Sequence, residues 1–135
     1  MKELSVRASS TSAAFQVILT DDQHHWSSDV PEALGGGGTA PTPHQLLLSS
    51  LGACTSITVA MYAQRKEMPL TSIEVNLSIL HERLGNDAQL QISRDIRLCG
   101  SLSDEQRARL LDIANACPIH KVLSGEITIA STLIE

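Results

Sequence analysis

Aromatic residues are nearly absent from this chain: one Phe, one Trp and one Tyr in 135 residues. Any core must therefore be built from Leu, Ile, Val and Ala. Basic clusters are also missing. Ten Lys and Arg stand against fifteen Asp and Glu, for a net charge of −5. Nucleic acid and anionic membrane surfaces are bound by clustered Lys and Arg, so neither is an expected partner. Met1-Lys-Glu-Leu-Ser5 carries no apolar segment, and no secretory leader is expected. Cysteines number three, whereas a secreted disulfide framework uses an even number. The expected location is a reducing cytoplasm, where disulfides are transient or catalytic. No Cys-x-x-Cys or His-Glu-x-x-His spacing occurs, so no metal site is expected. No Gly-x-Ser-x-Gly elbow is present for a serine hydrolase. The run Gly35–Gly38 lacks the trailing Gly-Lys-Ser/Thr of a phosphate loop.

One long uncharged run is present instead. From Leu46 to Tyr62 no residue is charged, and Arg65-Lys66 follow. The length approaches that of a membrane span. Ser49, Ser50, Gly52, Thr55, Ser56 and Thr58 lie within it, and no membrane partner is expected. A helix without a polar face is a buried one. In a domain this small, burial on all sides calls for a second copy, so a homodimer with this helix at its centre is expected.

Elements follow in order along the chain. Phe15, Val17 and Leu19 alternate in a strand over Ala14–Thr20, and His24–Asp29 is its return. Pro31–Pro43 reads as a loop. Thr42, Pro43 and Gln45 form a capping box that opens a helix running to about Lys66, with Pro69 as the stop. Ile73, Val75, Leu77 and Ile79 alternate with polar residues in a strand from Leu70. Gly85-Asn-Asp87 is a turn. Leu90, Ile92, Ile96 and Leu98 share one face of the next strand, and Arg94 falls in the same inward phase. An Arg so placed more often reaches an interface or snorkels than binds substrate. Cys99 lies in the opposite phase and receives no role. Ser103-Asp-Glu-Gln106 is a second capping box, and Pro118 ends its helix at Cys117. A last strand is expected over Ile127–Ile134. The whole reads as α+β: residues 1–135 form one domain, with helices packed on antiparallel sheet.

Cys54, inside the long helix, and Cys117, at the end of the second, are the candidate reactive residues. Either they are two small buried hydrophobes, or one attacks and the other closes a disulfide on it. A peroxidatic thiol needs a lowered pKa. His44 is the nearest imidazole in sequence, but ten residues of helix put it about 15 Å from Cys54. Mid-helix placement also denies Cys54 the helix dipole.

The run from Gly37 to Thr55, with Pro41-Thr-Pro43 and Leu51-Gly-Ala-Cys-Thr55, resembles the first cysteine motif of the OsmC/Ohr family. Met61-Tyr-Ala-Gln-Arg-Lys66, Gly100–Arg107 and Ile113–Leu123 resemble its OsmC-like branch. The resemblance implies an intertwined homodimer whose two central helices are wrapped by antiparallel sheets. It implies reduction of organic hydroperoxides, with Cys54 peroxidatic and Cys117 resolving. Electrons would come from a small dithiol or a lipoyl protein, with no cofactor and no metal. His44 stands where the family has a Glu that orients an activating Arg, and a His cannot form the carboxylate–guanidinium fork. Only Arg7 is available in the N-terminal region to be that Arg. His44 is therefore assigned a catalytic part through position or charge. A non-catalytic protein of the same fold that binds a small apolar ligand at the dimer interface is the alternative, and a peroxide sensor is a third.

Overall fold

The computed structural model describes residues 4–135. The described chain divides into two compact units, one ending at Ser49 and one from Ser50 to Glu135.

The first unit holds an antiparallel sheet of β1 (Arg7–Ser10), β2 (Val17–Thr20) and β3 (His25–Ser28), in that order. β2 starts three residues later than the alternation predicts, because Phe15 takes a left-handed φ of 64°. β1 carries only exposed residues, so hydrophobic periodicity does not reveal it. Arg7 pairs with Asp22 at 3.0 Å. Beyond β3 the buried Asp29 gathers the loop. Its carboxylate accepts from the Val30 N–H at 2.7 Å, the Thr39 N–H at 3.1 Å and the Thr39 hydroxyl at 2.6 Å.

Helix α1 (Pro43–Arg65) begins as predicted. Gln45 Oε1 accepts from the Thr42 N–H, and Thr42 Oγ1 accepts from the Gln45 N–H. Such a cap contributes about 1 kcal/mol. The helix is long and apolar enough to cross a membrane by length and composition. Within the chain it buries one stripe, Leu51, Thr55, Val59 and Ala63, spaced by four. Ile57 and Met61 on its other side are 58% and 62% exposed.

The second unit is built on the antiparallel pair β4 (Leu70–Arg83) and β5 (Gln89–Gly100). Ile73, Val75, Leu77 and Ile79 of β4 stand opposite Leu98, Ile96, Arg94 and Ile92 of β5. These eight form one inward row in which Arg94 is the single charged member. The register shifts between Ile79 and His81, leaving Leu80 as an extra residue in β4. The stripe of α1 packs against α2 (Asp104–Asn115) through Val59, Ala63, Leu110 and Ala114. Ile73, Ile96 and Leu98 close over that core. Gly52 admits the strand closely: a Cβ there would lie 2.8 Å from Leu77 Cδ1. Ser103 and Gln106 cap α2 reciprocally, as predicted.

Two expectations are corrected in this unit. After Cys117 the chain re-enters a short helix, α3 (Pro118–Leu123), where the sequence pattern indicated only a helix end. Residues 126–135, expected to contain a strand, form no regular structure, and Ile129, Leu133 and Ile134 are more than 80% exposed. Their alternation is that of a strand, but a strand needs an edge to pair with, and among the described residues they pair with none.

Candidate active site

Pro118 creates the geometry of the second thiol. It keeps Cys117 out of the α region, and Cys117 lies extended at φ −63° and ψ 145°. α2 therefore stops, and Pro118 starts α3. Cys117 becomes the N-cap of α3: its Sγ accepts the His120 N–H at 3.4 Å. The side chain is fully buried.

Cys54 reaches the same turn from α1. Its half-buried Sγ accepts the Ile119 N–H at 3.5 Å and lies 3.9 Å from Thr58 Oγ1. The first turn of α3 thus offers one N–H to each sulfur. This supplies Cys54 with the donor that its mid-helix position denies it.

Thr55, the next residue of α1, is fully buried between the partners. Its hydroxyl donates to the Leu51 carbonyl at 2.7 Å and lies 3.9 Å from Cys117 Sγ. Arg94 Nη1 donates to Thr55 Oγ1 at 3.0 Å and to the Ala114 carbonyl at 3.4 Å. Arg94 Nη2 donates to Asn115 Oδ1 at 2.8 Å. Among the described residues no Asp or Glu forms an ion pair with Arg94. Its acceptors are all neutral: Thr55, the Ala114 carbonyl and Asn115.

Burial pushes the Cys117 thiol up, but four donors and charges outweigh it. They are the His120 N–H, the Cys54 thiol, the Thr55 hydroxyl and the Arg94 guanidinium, and the net result lies below the ordinary thiol value. His120 is held below the ordinary imidazole value by burial, then by Arg94 and Lys121. Beside Arg94 opens a cleft of about 520 Å³, with Leu51, Leu80, Leu90, Ile92 and His120 in its wall.

The structure therefore brings Cys54 and Cys117 to one turn. His44 lies exposed in the first turn of α1, and Cys99 stands opposite Ser72 at the end of β5. Arg94, Thr55, Asn115 and His120 are site residues that the sequence pattern does not single out. The signal for Arg94 is its inward phase in β5, which by itself points to an interface or to snorkelling.

The fold and site define a class: a long apolar helix beside an antiparallel pair, with one free thiol on the helix and a second at the turn between α2 and α3. Residues 35–132 match the family model described as OsmC-like protein, and the chain belongs to that family. No curated protein sequence matches the chain. Its fold is shared with an OsmC like protein from Mycoplasma pneumoniae, at 21% identity and TM-score 0.78, covering 92% of this chain and 89% of that one. It is shared with an organic hydroperoxide resistance protein OsmC from Legionella pneumophila, at 22% identity and TM-score 0.68, over 92% and 93%. The organic hydroperoxide resistance protein OhrB of Bacillus subtilis also matches, at 23% identity and TM-score 0.60, over 90% of each chain.

Proposed function

We propose that the chain is a thiol-dependent reductase of organic hydroperoxides, working as a homodimer in a reducing cytoplasm with residues 1–135 as one domain. The observation that carries this reading is the convergence of a half-exposed and a fully buried thiol on the first turn of α3. The exposed one, Cys54, meets the peroxide. Its sulfur attacks one peroxide oxygen, the O–O bond breaks, and the alcohol leaves with a proton. Cys54 is then a sulfenic acid. Cys117 attacks that sulfur and water leaves, so the two thiols give up the two electrons that the peroxide takes. A small dithiol or lipoyl protein returns the disulfide to thiols by exchange. His44 assists through position or charge. The fold neighbours named for organic hydroperoxide resistance favour this substrate class. The exposed Ile57 and Met61 in the uncharged run of α1 favour a second copy as their cover.

The test is thiol loss when a stoichiometric amount of cumene hydroperoxide is added to the reduced protein, with mass spectrometry of the product. Rapid loss of two thiols and a mapped Cys54–Cys117 linkage are expected. Cys54→Ser should abolish the reaction, and Cys117→Ser should leave a sulfenic acid. His44→Ala should slow it without abolishing it. Reaction no faster than that of a free thiol would sink the enzyme reading. The apolar cleft beside Arg94 favours a second reading in that event: a non-catalytic binder of a small apolar ligand.

A further inference from the structure

We infer that a cationic cluster around Tyr62 docks an acidic protein that carries a dithiol, the reductant of the Cys54–Cys117 disulfide. This inference rests on the two-thiol reading above and names the kind of partner which that reading requires.

The sequence holds no basic cluster, but the fold assembles one. Arg65 ends α1 and Lys66 follows it, while Arg109 comes from α2, 47 residues beyond Tyr62. The three meet at one ring. Arg109 Nε donates to the Tyr62 hydroxyl at 2.9 Å, and its Cζ lies 5.4 Å from the ring centroid. The Arg65 Cζ lies 5.3 Å from the same centroid. The hydrogen bond from Arg109, joined by the charges of Arg109, Lys66 and Arg65, outweighs desolvation and holds the Tyr62 phenol below its ordinary value. Asp112 is the carboxylate whose charge reaches Arg109. Among the described residues no Asp or Glu forms an ion pair with Arg65, Lys66 or Arg109. A guanidinium has five N–H donors, and Arg109 spends one of them on Tyr62. On a chain of net charge −5, a patch of this sign attracts an acidic surface.

The place of this patch relative to the thiols selects the partner. Cys54, Thr58 and Tyr62 are spaced by four and form one half-buried row of α1, beside the buried stripe. Ile57 and Met61, which call for a second copy, stand on the next row. Arg65 ends that next row but turns its guanidinium to the Tyr62 ring. Eight residues of helix put Tyr62 about 12 Å from Cys54. A docked reductant must present its anionic groups and its thiol about that far apart. A small dithiol spans less. A dithiol on a flexible arm, such as a reduced lipoyl-lysine with acidic residues beside its root, spans it. Nucleic acid carries the charge but no reducing thiol. The step balances with such a partner. One partner thiol loses its proton and attacks the half-exposed Cys54 sulfur. The Cys54–Cys117 bond breaks, and Cys117 takes up a proton. The second partner thiol loses its proton and attacks the first within the mixed disulfide, and Cys54 leaves with a proton. The partner gives up two electrons as it becomes a disulfide, and the two cysteines receive them.

The experiment uses two dye-labelled peptides of equal length, each with a central lipoyl-lysine, one flanked by Glu and the other by Gln. Binding to the reduced full chain is read by fluorescence anisotropy. The Glu peptide should bind more tightly than the Gln peptide. Arg65→Gln combined with Arg109→Gln should weaken it about fivefold, as the loss of two exposed charge pairs does. Equal binding of the two peptides, or a Glu peptide that binds the double variant as it binds the parent, overturns the inference. A duplex oligonucleotide that matches the affinity of the Glu peptide and loses it in the same variant also overturns it. Should the double variant fail to fold, Lys66→Gln carries the test at an exposed side chain, with a smaller loss expected and coincidence with the parent overturning the docking. A second measurement starts from the disulfide made with diamide and adds the peptides with their lipoyl groups reduced. The Glu peptide should restore the thiols faster than the Gln peptide. The double variant should remove that advantage and leave the rate with dithiothreitol unchanged. Equal slowing with dithiothreitol would put the two arginines in the packing of the thiols instead of in docking, and overturns the inference. Neither measurement uses a peroxide. Failure of the reductase reading would appear only in the cumene hydroperoxide assay.

Discussion

Arg94 and Thr55, 39 residues apart in sequence, meet at 3.0 Å between the inward row of β5 and the buried stripe of α1. Each needs the other. Thr55 would otherwise present a buried oxygen with spare acceptor capacity, and Arg94 would lose the hydroxyl acceptor of one nitrogen. Thr55→Val keeps the shape and removes the oxygen. It should cost about 1–3 kcal/mol, the usual penalty of leaving a half-buried donor without its partner. Thr55→Ser should recover most of that. Urea denaturation of the three proteins reads both, and equal midpoints for Thr55→Val and the parent would contradict the pairing.

Gly52→Ala should destabilise the second unit by about 1–3 kcal/mol, as overpacking does. The added methyl lands 2.8 Å from Leu77 Cδ1. By propensity alone, the same change in an open helix would stabilise by about 1 kcal/mol. The sign of the shift in denaturation midpoint therefore decides whether β4 lies against α1 at this glycine. Pairing Gly52→Ala with Leu77→Ala should restore part of the loss.

Neighbouring leucines of α2 should behave differently. Leu110 is 1% exposed and Leu111 is 51% exposed. Leu110→Ala leaves a cavity between Val59 and Ala114 and should cost about 2–5 kcal/mol. Leu111→Ala should cost far less in the dilute chain. Thermal unfolding of the pair is the check, and equal losses would mean that α2 turns a different face to α1.

Acid should act on the first unit through Asp29. The Thr39 hydroxyl, the Thr39 N–H and the Val30 N–H hold its carboxyl below the usual carboxylate value. A depressed folded value means that the unfolded chain binds the proton more readily. The contribution to stability is thus complete above the unfolded value of about 3.9 and fades as pH falls through the folded one. Asp29→Asn should be less stable than the parent at neutral pH, and the gap should close in acid. A gap that does not vary between neutral and acid pH would mean that the Asp29 charge does not hold this loop.

The helices are the legible part of this fold. Thr42 with Gln45 and Ser103 with Gln106 announce their starts by side-chain chemistry that acts within three residues. Pro118 likewise announces the break at Cys117. The same residue begins α3, and six residues give too little periodicity for that helix to be read. The strand predicted over Ile127–Ile134 shows the opposite limit. Alternation records which face would be buried and says nothing of whether an edge exists to receive it. The two thiols are legible as a pair through their motifs. Arg94 is not, because its role depends on the register of Leu77 opposite it and on a threonine 39 residues away. Contacts of that range leave no local pattern.

The first turn of α3 has a spectroscopic consequence. The amides of Ile119 and His120 are bonded by sulfur, one to each cysteine. Sulfur is a weak acceptor as a thiol and a better one as a thiolate, and it changes position when it forms a disulfide. The exchange lifetimes and chemical shifts of these two amide protons therefore form a reporter native to the backbone. They register a change at either sulfur separately, with no label attached.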